Sequence, residues 1–205
     1  MRGICATIRN SNQPEPLKPR QLPLPFIKRV LCIRQGISPV ENRTLTNMKL
    51  TLASIGSISH GTLKTEDLLS EFSSELDWQF RKNGNYFSIP ENREEGRKFH
   101  ELCGEAQDQY EEDGETLKDE EAANWLVESL SDSLQSFAPP YCYFGAHEGD
   151  GSDFGFWPSY DSIEELPIVE DSDAAKELGE DCKSVNDHGN VTVYGADGSI
   201  LLELV

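Results

Sequence analysis

Residues 143–157 read YFGAHEGDGSDFGFW. Two aromatic runs flank a centre of Gly, Asp, Ser and Glu, with His147 at its edge. Gly149 and Gly151 permit positive φ, and Asp and Ser side chains hydrogen-bond their own backbone. The segment therefore predicts a hairpin joining two antiparallel strands. The same residues admit a chemical reading. His147, Glu148, Asp150 and Asp153 put several oxygens and an imidazole within a few positions, as hard and borderline cations require. The spacing is not that of an EF-hand loop, and HExxH is absent. The aromatics Tyr141, Tyr143, Phe144, Phe154, Phe156, Trp157 and Tyr160 are dense enough to pack one strand face on helices. The other face is left for contact, so His147, Glu148, Asp150, Asp153 and Trp157 form a candidate recognition loop.

Upstream, residues 49–58 carry Leu50, Leu52, Ile55 and Ile58 and predict a strand. Leu68, Leu69, Phe72, Leu76 and Phe80 recur at helical spacing, so a helix is expected over 66–81, with Thr65 as its N-cap. NYFSI (85–89) reads as extended and is stopped by Pro90. A second helix is expected over 91–112. Phe99, Leu102, Cys103, Ala106 and Tyr110 share one side, with Glu101, Glu105, Asp108 and Glu112 opposite. A third is expected over 119–137, with Trp125, Leu126, Leu130, Leu134 and Phe137 as its apolar face. Glu121, Glu128 and Asp132 lie opposite, and Pro139-Pro140 ends the helix.

Downstream, PIVED reads as a short strand and SDAAKELGED as helical. NVTVYG and SILLELV, joined across Asp197-Gly198, read as a hairpin. The order predicts an α+β domain over 48–205. It would have a mainly antiparallel sheet of about five strands, with two to three helices on one face.

Charge separates the chain into two stretches. Residues 1–47 hold eight Lys/Arg against Glu15 and Glu41, whereas the remainder holds ten against 35 acids. The first stretch also contains Pro14, Pro16, Pro19, Pro23 and Pro25. It reads as a disordered basic tail, or as a leader translated ahead of a start at Met48. A basic arm folding back on an acidic body is the alternative. No apolar run reaches the ~18 residues of a membrane span. Five widely spaced cysteines without a CxxC pair fit a reducing cytoplasm.

Between 91 and 132 stand 15 acids and only four bases. Carboxylates at i, i+4 lie roughly 6 Å apart and repel by a few tenths of a kcal/mol per pair, so stability does not account for them. His60, in ISHGT at the end of the first predicted strand, is a second candidate for chemistry, with Ser59 and Thr62 beside it. Phosphate-loop and dinucleotide glycine patterns are absent, as are basic aromatic nucleic-acid modules.

SIGSISHGTL (54–63), YFGAHEGDGSDFGFWPS (143–159) and VNDHGNVTVYGADG (185–198) resemble small acidic proteins of phages, plasmids and other mobile elements. The resemblance covers about 50–205. It carries no residue-by-residue activity, but proteins of this charge and setting include DNA-mimicking anti-restriction and anti-CRISPR factors. The expected function is thus a non-enzymatic interaction protein, without cofactor or metal, that docks on a basic surface of a nucleic-acid-handling protein. It would contact neither nucleic acid nor membrane directly. Glu101, Glu105, Asp108, Glu112, Glu128 and Asp132 would stand in for phosphates. The alternative is a metal-dependent hydrolase using His60 and His147 with Asp150 and Asp153.

Overall fold

A computed structural model describes residues 49–205. The expectations for the basic N-terminal stretch lie outside the described residues. The first strand is shorter and later than its pattern implied. β1 spans Gly56–His60. Residues 49–55 belong to no strand and spend their amides elsewhere: Thr51 donates to the Asn83 side chain at 2.7 Å, and Ala53 to the Phe137 carbonyl at 2.8 Å.

α1 covers Thr65–Lys82 and buries Leu68, Leu69, Phe72 and Leu76. Lys64, rather than Thr65, occupies the N-cap position; the Thr65 hydroxyl instead donates to Asn124 Oδ1 at 2.7 Å. NYFSI is not extended. α2, Gly84–Phe87, is a single turn that buries Phe87 against the rings of Phe80, Phe99 and Tyr86. A short apolar run does not by itself distinguish strand from helix, and here tertiary packing decided.

α3 spans Arg93–Gln107, shorter than 91–112. Beyond it, residues 109–118 fold into a tight loop bridged at Tyr110 and Leu117. Gly114 (φ 73°) turns the loop, and the Asp113 carboxylate accepts from the amides of Glu115 and Thr116. Those bonds hold its carboxyl below the usual range. α4 covers Glu120–Gln135, capped by Asp119, which accepts from the Ala122 amide at 3.1 Å.

The hairpin expected at 143–157 is present as β2, Cys142–His147, and β3, Asp150–Pro158. With β1 they form one antiparallel sheet in the order β1-β3-β2. Phe144 pairs with Phe156 and Gly145 with Gly155. The Phe72 ring meets Phe144 and Phe154 edge-on at 5.0 and 5.6 Å, so the aromatic face packs on α1 and α4. Tyr110 at the start of α1 and His100 stacked on Phe80 near its end make α3 antiparallel to α1. Asn83 and Phe137, both tied to residues 51–53, place the ends of α1 and α4 together, so these two run parallel.

The remaining strands do not extend this sheet. After α5 (Tyr160–Glu164) and α6 (Ser172–Leu178), the strands β4 (Cys182–Val185), β5 (Val191–Tyr194) and β6 (Ile200–Leu204) make a second three-stranded antiparallel sheet. PIVED supplies no strand, only one parallel bridge between Ile168 and Lys183. The described residues are thus α+β with two three-stranded sheets and six helices rather than one sheet with two or three. Lys183 is buried, its ammonium donating to the Ile163 and Glu164 carbonyls at 2.9 and 2.8 Å. A lysine filling an inward position disguised β4, since its pattern reads as polar. No helix among the described residues is long and apolar enough to cross a membrane.

Candidate functional site

α4 carries two faces set by helical geometry. Ala123, Leu126, Leu130 and Leu134 are buried and share one side. At 3.6 residues per turn, Glu121, Trp125, Glu128 and Asp132 fall within an arc of about 60° on the far side. All four are exposed, Trp125 by 60 %. Trp125 therefore does not belong to the apolar face. Its adjacency to Leu126 suggested that it did, but one residue is a rotation of about 100°. Counting the rotation would have placed this tryptophan among the acids.

A groove of about 380 Å³ runs along that stripe, lined by Phe72, Val127, Glu128, Ser131, Asp132 and Phe154. Its floor is the contact of α1 and α4 with β3. Two carboxylates one turn apart, Glu128 and Asp132, stand at its wall. No Lys or Arg nitrogen lies within 4.0 Å of either among the described residues.

The acids expected on α3 fare differently. Glu101 is exposed but engaged: Arg97 bonds it and also Glu94, the latter at 2.7 Å. The guanidinium holds the Glu94 carboxyl below its usual range, and the two carboxylates raise the Arg97 pKa. Glu105 is exposed on α3. Asp108 caps the helix end, and its carbonyl takes the Lys118 ammonium at 2.8 Å. Glu112 lies in the following loop, because α3 ends at Gln107. The four do not form one helical row.

The described cations do little to neutralise this surface. Lys82, Arg93, Lys118 and Lys183 donate to backbone carbonyls. Among the described residues, only Glu66, Asp77, Glu94, Glu101 and Asp173 come within 4.0 Å of a Lys or Arg nitrogen. Most carboxylates of the described residues therefore face solvent unopposed.

The hairpin residues converge in part. His60 pairs across from Asp153 and His147 from Asp150, at one end of the first sheet. His60 Nδ1 lies 3.6 Å from Asp153 Oδ2, and the Ser57 hydroxyl donates to Asp153 Oδ1 at 2.5 Å. The carboxylate thus stands between serine and imidazole. A nucleophile needs the base between itself and the acid, so this order does not activate Ser57. His147 rests its ring on Trp157 at 4.7 Å, and its Nδ1 accepts from the Gly149 amide. Asp150 accepts from the Ser152 amide and hydroxyl, which hold its carboxyl below the usual range, as do the two nearby imidazoles to a smaller degree. Trp157 is half-buried and donates its Nε1–H to the Gly145 carbonyl. Glu148 is exposed at the tip. No group of three or more His, Cys, Asp or Glu among the described residues is arranged to hold a metal ion.

The free thiols of Cys103 and Cys142 are pushed up to about 11 by burial, and Cys182 is raised for the same reason. None is primed as a nucleophile near neutral pH.

Comparison of the chain with protein-family models, with curated proteins and with solved structures returned no match.

Proposed function

We propose that this chain is a non-enzymatic interaction protein whose exposed carboxylates occupy a cationic surface on a nucleic-acid-handling partner. The observation that supports this most is the imbalance among the described residues: four cations donate to backbone carbonyls and four meet an acid, so only five of 35 carboxylates have a Lys or Arg nitrogen within 4.0 Å. Stability gains nothing from carboxylates left unopposed, whereas complementary docking on Lys and Arg gains rate and specificity. Glu105, Glu112, Glu128 and Asp132 are exposed in the way phosphate surrogates must be. A counter-defence or regulatory factor of a mobile element is the setting this charge suits.

The hydrolase reading has His60 beside Asp153 in its favour. The hydrogen bonds that commit Asp153 to Ser57 of the neighbouring strand, and Asp150 and His147 to their own turn, weaken it.

Displacement of labelled duplex DNA from a lysine-rich histone by the full chain is the direct test. The chain is expected to compete at low salt, with an efficiency that falls steeply as salt rises. Reversing Glu105, Glu112, Glu128 and Asp132 to Lys should abolish competition. Failure of the native chain to displace DNA at low salt would overturn the proposal.

A further inference from the structure

The groove beside α4 has a composition that selects its occupant. Its floor is apolar, formed by Phe72, Phe154 and Val127, and its wall carries Glu128 and Asp132. A bare divalent cation would find only two carboxylates where several oxygens are needed. An apolar side chain seated there would strip water from two carboxylates and leave them unpaired. A side chain with an apolar stem and a cationic head satisfies both surfaces. Trp125 stands one turn before Glu128 on the same side of α4, with 60 % of its surface exposed. Its exposed indole suits a second cation.

We propose that this groove receives a single arginine or lysine side chain of the partner. The stem lies over Phe154 and Val127 and the head meets Glu128 and Asp132, while a neighbouring cation covers Trp125. The proposal rests on the acidic-docking function above and deepens it: the partner is read by one inserted basic side chain, not by diffuse charge alone. Two carboxylates one turn apart suit the forked guanidinium better than an ammonium, so arginine is the preferred occupant.

The test uses the full chain with an oligoarginine and an oligolysine peptide, by calorimetry and tryptophan fluorescence at low salt. E128Q/D132N removes two charges at the groove, and E177Q/E180Q removes two at the end of α6. All four residues are exposed, and unchanged unfolding midpoints would show that each variant is folded. The groove pair is expected to weaken oligoarginine binding about tenfold or more. The control pair should change it by less than about threefold, as loss of rim charge does. Trp125→Phe should remove the fluorescence response while Trp78 and Trp157 remain. Equal weakening by the two pairs, or weakening by neither, overturns the groove and leaves the general charge reading standing. Absence of any binding by the native chain overturns both.

Discussion

Among the described residues Tyr141 is the one non-glycine residue with positive φ, at 62°. An aromatic residue in that region is strained, and it persists only where its surroundings hold it. Here the phenol donates to Asp181 Oδ2 at 2.7 Å, and Asp181 Oδ1 accepts from the Ala196 amide at 3.0 Å. Burial first, and then the Asp181 carboxylate, push the phenol up to about 12. A folded-state pKa above the unfolded value of 10.0 favours the protonated phenol in the native state. That stabilisation is complete below pH 10 and is lost as pH rises through about 12. Denaturant midpoints should therefore fall over this interval. Tyr141→Phe should lower the midpoint at neutral pH and flatten its alkaline decline. An alkaline decline as steep in the variant as in the native chain would rule out this linkage.

At the scale of elements, β1 and β3 depend on a backbone contact that tolerates no side chain. A Cβ on Gly155 would sit 2.1 Å from the Gly56 carbonyl oxygen. Gly155→Ala should cost about 3 kcal/mol, the upper range for forced overpacking, and should split β1 from the sheet. A urea midpoint like that of the native chain would refute it. Elements built from neighbouring residues were legible in the sequence. The 143–157 hairpin, the α1 stripe from Leu68 to Leu76 and the C-terminal hairpin across Asp197-Gly198 are all present. What failed were elements whose partners are distant. Leu50 and Leu52 alternate like a strand, yet Asn83 and Phe137 claim the amides of Thr51 and Ala53. The end of α3 was missed because Tyr110, which continues the apolar spacing from Phe99, reaches the Glu66 carbonyl through its hydroxyl from beyond the helix. The candidate site was legible in its acids and hidden in its groove. Glu128 and Asp132 could be read from spacing, whereas Phe72 and Phe154 come from elements far away in the chain.

Across the whole described molecule, burial is unevenly divided. The larger cluster, around Phe72, Leu130, Phe137 and Phe156, gathers the three long helices and the first sheet. The second, under β4-β5-β6, has only Ile163, Val193 and Leu202 fully inside. No sequence pattern foretold two cores, because periodicity reports which residues turn inward and not which interior they join. The second core leans instead on polar ties, the Lys183 ammonium on the end of α5 and the Tyr141–Asp181 bond. So small a hydrophobic store predicts that the C-terminal meander opens as a cooperative unit of its own. Its amides, from Cys182 to Leu204, should exchange with deuterium sooner than those of α1 and α4, and Lys183→Met should hasten them further while leaving the helices protected. Uniform exchange across both regions would refute it. If the meander does breathe alone, a protease could trim the C-terminal end while the acidic helices, and whatever they grip, stay whole.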